Sequence, residues 1–155
     1  MTLNVAVIGA GNISRAHLAA LKESDASTVV GLFDADRSRA DRRSAEFGIG
    51  QVYGAWEDLL GDANVQVVAV LVPPDLHQRF SIEALQAGKH VVCEKPMASN
   101  LAECDAMIDA ARRADRRLFI VQNRIYSHAY ERAHELIVSG AIGKVFLAQS
   151  NGFEG

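Results

Sequence analysis

LNVAVIGAGNIS, residues 3–14, decides how the rest of the chain is read. LNVAVIG (3–9) is a strand pattern that ends in glycine. GAGNIS (9–14) follows directly and opens a helical pattern over 12–23, with Ile13, Ala16 and Ala20 on one side. A glycine-rich turn between a strand and a helix is the setting that a dinucleotide's pyrophosphate needs. Gly9 permits the tight turn and Gly11 lets the backbone approach the phosphates. The N–H groups at the helix start, Asn12 and Ile13, favour an anion. Ser14 replaces the third glycine of the usual pattern, and its small side chain still allows close packing of helix on strand. The plainer alternative is a glycine-rich turn without a ligand.

Outward from that turn, short β-rich runs alternate with helical patterns. STVVGLFD (27–34) is the second strand, and DRSRADRRSAEFG (36–48) a charged helix stopped by Gly48. QVY (51–53) is a candidate for a very short third strand, and WEDLL (56–60) a brief helical turn. VQVVAVLVPP (65–74) is apolar without alternation, as in a parallel strand covered on both faces. His77–Ala87 is the next helix, closed by Gly88; KHVVCE (89–94) is a strand. Asn100 and Glu103 form a capping box for a helix whose stripe is Leu101, Cys104, Met107, Ile108 and Ala111. RLFIVQ (117–122) is a further strand. Residues 127–139 form a helix with Ala129, Ala133, Leu136 and Ile137 inward, stopped by Gly140. VFLAQS (145–150) is a last strand candidate. This alternation predicts an α/β, doubly wound Rossmann fold: a mostly parallel sheet with helices on both faces.

A carboxylate should end the second strand, to accept hydrogen bonds from the adenosine ribose. Asp34 stands there. It favours NAD; NADP is the second choice, since Arg37 and Arg39 offer a phosphate a partner. Asp34 could instead serve as an N-cap-like residue of the next helix. Ligands of open parallel sheets sit beyond the carboxyl ends of the strands. Three polar clusters fall at such ends: Pro73-Pro74 leading to His77, Glu94-Lys95-Pro96, and Gln122-Asn123-Arg124. A lysine partly desolvated in the cleft can exchange a proton with a substrate hydroxyl. Glu94 would hold or tune that lysine, and Pro96 would restrict the exit backbone. A histidine packed near the cleft is the expectation for His17.

The totals exclude other classes. The 155 residues fit one domain, and a net charge of -3 offers no basic footprint for nucleic acid. The arginines of ADRRSAEF alternate with acids, as on a solvated helix face. Two cysteines, Cys93 and Cys104, are too few for a disulfide scaffold and read as buried thiols in a reducing compartment. The five histidines lack ligand spacing, so no metal is expected. There is no leader pattern and no apolar run of membrane-spanning length, so a cytoplasmic protein without membrane contact is expected.

GAGNISRAH (9–17), LVPPDLH (71–77), ALQAGKHVVCEKPMA (84–98) and SGAIGKV (139–145) together resemble the glucose–fructose oxidoreductase / inositol dehydrogenase family, Gfo/Idh/MocA. The resemblance implies NAD(P)-dependent interconversion of an alcohol and a carbonyl on a sugar, polyol or related diol. It makes Lys95 catalytic and places it near the nicotinamide ribose, with Lys95–Pro96 frequently cis in relatives. The cofactor-binding set is then Gly9, Gly11, Asn12, Ile13, Asp34, Pro73, His77, Glu94, Lys95, Pro96 and Asn123. The family carries a second, C-terminal α/β domain that supplies most of the substrate pocket and the oligomer interface. Residues 1–140 are therefore expected to be the cofactor domain and 141–155 the lead-in to a substrate domain, in a homo-oligomer. Alone, the chain is expected to turn over weakly or not at all. The alternative is a non-catalytic dinucleotide-binding module, a redox sensor or an assembly subunit.

Overall fold

The computed structural model describes residues 2–149. Five strands form one parallel sheet: β1 (Leu3–Ile8), β2 (Ser27–Phe33), β3 (Val67–Val70), β4 (His90–Cys93) and β5 (Leu118–Ile120), in the order β2-β1-β3-β4-β5. Between them run α1 (Asn12–Glu23), α2 (Arg37–Phe47), α3 (Trp56–Gly61), α4 (His77–Gln86) and α5 (Leu101–Ala114). Helix α6 (His128–Val138) follows β5. The expected third strand survives only as one parallel bridge, Val52 to Leu32, outside β2. Counting it, the order is 3-2-1-4-5-6, that of the dinucleotide-binding fold.

The strands are apolar throughout because both faces are covered. Ala6, Ile8, Val68, Val70, Val91 and Cys93 point to one face, where they pack with Trp56 and Leu59 of α3, Phe80 and Leu85 of α4, and Met107 of α5. Val5, Val7, Val67 and Ala69, the alternate residues, point to the other, with Leu18 of α1 and Ala40 of α2. Each such side chain removed from water contributes ~1.5–3 kcal/mol before its entropy cost. Period-two alternation along the strands thus separates two cores, and the doubly wound architecture follows from it.

The helix ends obey local rules. Asp36, not Asp34, caps α2, accepting from the Arg39 N–H. Gly48 ends that helix at φ +67, a left-handed position suited to glycine. Asn100 Oδ1 accepts from the Glu103 N–H at 3.0 Å, and Glu103 Oε2 reaches back to the Ser99 N–H at 3.0 Å.

Several expectations change. Leu101, placed in the apolar stripe of α5, is exposed at the first position of the helix. Cys93 is buried, whereas Cys104 is only half-buried. No strand forms over 145–149, and residue 150 lies outside the described residues. The chain divides into two compact units, Met1–Val121 and Gln122–Gly155. In the second, Ala129, Ala133 and Ile137 of α6 are exposed and Leu136 is half-buried, so the expected inward face covers nothing fully. Among the described residues, no helix is long and apolar enough to cross a membrane.

Candidate active site

The carboxyl ends of β1, β2, β3 and β4 lie side by side, and the residues that leave them form the site. Gly9 leaves β1 at φ +97, and a Cβ there would stand 2.6 Å from the Leu71 carbonyl oxygen. Only glycine meets both demands. A Cβ on Gly11 would meet nothing within 4 Å. That side of the turn is an open cradle where a pyrophosphate can approach the backbone. No side chain caps α1, which leaves its first N–H groups at Asn12 and Ile13 for an anion. Ser14 is fully buried and its hydroxyl donates to the Gly11 carbonyl at 2.7 Å, which fixes the turn from inside.

Asp34, just after β2, accepts from the Ala10 N–H at 2.7 Å through Oδ2 and from the Asp36 N–H at 2.8 Å through Oδ1. Each oxygen keeps acceptor capacity for a further donor. It borders a cavity of about 380 Å³ walled by Phe33, Leu71, Val72, Pro73, Leu76 and Phe80. The apolar walls suit a purine and the carboxylate suits a ribose diol. Arg39 lines the same cavity, 3.9 Å from Asp34.

At the end of β4, Glu94 is buried and Lys95 exposed. The Lys95–Pro96 peptide is cis. Glu94 holds the lysine through its backbone N–H. Its Oε2 accepts from the Lys95 backbone N–H at 2.9 Å, and its Oε1 lies 2.7 Å from His17 Nε2. Lys95 is exposed in this chain, without the partial desolvation anticipated for it.

His77, expected among the cofactor ligands, is only 1% exposed. Nδ1 lies 2.7 Å from the Pro96 carbonyl oxygen and Nε2 2.9 Å from that of Val72. Both nitrogens face carbonyl oxygens of the protein, so the buried ring sits between Val72 and Pro96. Asn123 opens a 3-10 turn, Asn123–Tyr126, in the second unit, and is exposed. Pro73 and Pro96 are exposed at their strand ends.

Arg43 was read as part of a solvated face but is buried. Its guanidinium donates to the Gly11 carbonyl at 3.1 Å and pairs with Glu46 at 2.5 Å. The spacing of Ala40, Arg43 and Phe47, three then four residues, was the available signal for a buried face. Cys93 is no nucleophile candidate: burial pushes its thiol up to about 11. Among the described residues no cluster of His, Cys, Asp or Glu could hold a metal ion.

Known proteins resemble this chain in sequence and fold. Over residues 3–122 the chain matches the sequence model of the Gfo/Idh/MocA oxidoreductase family, NAD-binding Rossmann fold. Myo-inositol 2-dehydrogenase of Thermotoga maritima is 32% identical over 142 residues, 92% of this chain and 42% of that protein. An NAD-binding oxidoreductase from Klebsiella pneumoniae is 34% identical, with a TM-score of 0.83 over 92% of this chain and 40% of its own. The WlbA dehydrogenase of Bordetella pertussis, solved with NADH and UDP-GlcNAcA, is 28% identical, with a TM-score of 0.86 over 92% of this chain and 44% of its own. The chain thus spans about two-fifths of the length of such relatives. With the glycine turn, the strand order and the family match in agreement, the chain belongs to the Gfo/Idh/MocA family of oxidoreductases through its NAD-binding Rossmann domain.

Proposed function

We propose that the chain is the cofactor-holding part of an enzyme that interconverts an alcohol and a carbonyl on a polyol, sugar or related diol, with NAD as the preferred cofactor. The observation that carries this reading is the meeting, at one edge of the sheet, of the open Gly9–Gly11 cradle, Asp34 beside a purine-sized cavity, and exposed Lys95. The inositol dehydrogenase among the relatives supports the polyol, and the NADH in the WlbA structure supports the cofactor.

The residues divide the work by chemistry. Gly9 and Gly11 admit the pyrophosphate to the backbone, and the N–H groups of Asn12 and Ile13 meet its charge. Asp34 accepts from the adenosine ribose and repels a 2′-phosphate. When bound, the nicotinamide supplies the hydride acceptor or donor. Lys95 holds or returns the proton of the substrate hydroxyl, while Glu94 fixes the lysine backbone. Residues 1–140 act as the cofactor domain, with 141–155 leading to a substrate domain in a homo-oligomer.

Calorimetric titration of the chain with NADH and NADPH tests the binding half. The expected result is tighter NADH binding, reversed or levelled in Asp34→Ala. Failure of the folded chain to bind either cofactor overturns it. In the protein joined to its substrate domain, Lys95→Ala should lower kcat on myo-inositol by ~10²–10⁴. Unchanged kcat removes Lys95 from the chemistry.

A further inference from the structure

The turn that carries Lys95 is gripped from two sides by histidines. On one side, His17 Nε2 meets Glu94 Oε1 at 2.7 Å, and the other Glu94 oxygen receives the Lys95 N–H at 2.9 Å. On the other, His77 holds the Pro96 carbonyl at 2.7 Å. The Glu94 N–H donates to the Val70 carbonyl of β3 at 3.1 Å. The backbone on both sides of Lys95 is thus held, and Lys95 itself is exposed.

His17 sits in α1, five residues beyond the start of the helix whose N-terminus faces the glycine cradle. Its contact with Glu94 crosses 77 residues of sequence. The pair is well shielded, with side-chain exposures of 17% and 11%. An exposed pair of this kind stabilises little, whereas a shielded charge-assisted contact is shorter and stronger. The contact joins a group that can donate, Nε2, to a carboxyl oxygen that can accept. The path runs from the phosphate-facing helix, through one imidazole and one carboxylate, to the backbone of the exposed lysine.

We propose that His17 is a positioning residue for Lys95, acting through Glu94, and that it joins the pyrophosphate-facing helix to the nicotinamide end of the site. The inference rests on the proposed role of Lys95. His17 touches no reacting atom; it sets where the lysine backbone lies. Removal of the imidazole frees Glu94 Oε1, and the carboxylate can then turn toward water and release the Lys95 N–H.

Two readouts on the full chain test this, with His17→Ala and His17→Gln, whose amide nitrogen can replace Nε2. The first is amide hydrogen exchange at Lys95 without cofactor. The second is affinity for NADH against ADP, which holds the adenosine and pyrophosphate but lacks the nicotinamide riboside. In His17→Ala, Lys95 exchange should speed up about tenfold and NADH should weaken about tenfold, with ADP unchanged. His17→Gln should recover most of both. Unchanged Lys95 exchange overturns the inference, as do equal losses for NADH and ADP, or no recovery with glutamine. If the wild-type chain binds ADP but gains nothing from the nicotinamide riboside, the proposed role of Lys95 falls. Exchange at Lys95 then still decides whether His17 holds its backbone.

Discussion

Helices α5 and α6 carry similar sequence patterns and meet different fates. Both are amphipathic, of 14 and 11 residues. In the first unit, α5 buries Met107, Ala110 and Ala111 against α4 and the sheet. In the second, α6 buries none of its side chains, and Tyr130, Ile137 and Val138 are exposed. A hydrophobic stripe states which face would gain from burial; it does not supply the surface that covers it. Stability in this chain should therefore reside in Met1–Val121, and substitutions should divide along that line.

The largest contrast is expected between Leu85 and Ile137. Leu85 is fully buried, so Leu85→Ala should cost ~2–5 kcal/mol in urea denaturation followed by Trp56 fluorescence. Ile137→Ala, on the exposed face, should stay within ~0.5 kcal/mol. A large effect at Ile137 would break the comparison by revealing a cover for α6.

Two glycines sharpen it. Gly9→Ala meets positive φ and the Leu71 carbonyl together, so it should destabilise by ~2 kcal/mol or more and abolish NADH binding. Gly140→Ala meets only the left-handed φ of +71 and open space in the second unit, and should leave the Trp56-monitored transition within ~0.5 kcal/mol and NADH binding intact.

Acid should act on the first unit. The Tyr53 hydroxyl donates to Asp62 at 2.7 Å and, with the Asn64 N–H, holds that carboxyl below its ordinary value of 3.8. A depressed carboxylate contributes stability that is present above its unfolded value and lost as pH falls through the folded one. Tyr53→Phe should flatten this dependence below pH ~4 in melting curves. The smallest change is expected on α6. Arg132 and Glu135 pair at 2.8 Å with side chains about two-thirds exposed, so Arg132→Ala should shift stability by less than ~0.5 kcal/mol.

What the sequence revealed follows the same division between local and distant. The glycine turn, the cap at Asn100, and the alternation of strands and helices depend on neighbours in sequence, and the fold could be read from them; the cap at Asp36, two residues beyond the expected Asp34, came from the structure. The loss of the third strand to one bridge at Val52 depends on how few backbone groups beside β2 find partners, which QVY does not encode. His17 with Glu94, Arg43 with Gly11, and His77 with Val72 and Pro96 join different elements. No local period marks such pairs. For that reason the carbonyls beside the His77 ring were not foreseen, and Arg43 looked solvated when it supports the glycine turn.

Asp34 carries a last consequence. The carboxylate proposed to discriminate between cofactors also ties the glycine turn to the start of α2, one oxygen on each N–H. A change of cofactor preference by replacement of this residue would thus draw on the same bonds that shape the phosphate cradle. Directed evolution toward NADPH should first pass through variants that keep an acceptor at both places, or that repair the loop elsewhere. Simple truncation at this position, as in Asp34→Ala, would level the preference while weakening the hold on either cofactor.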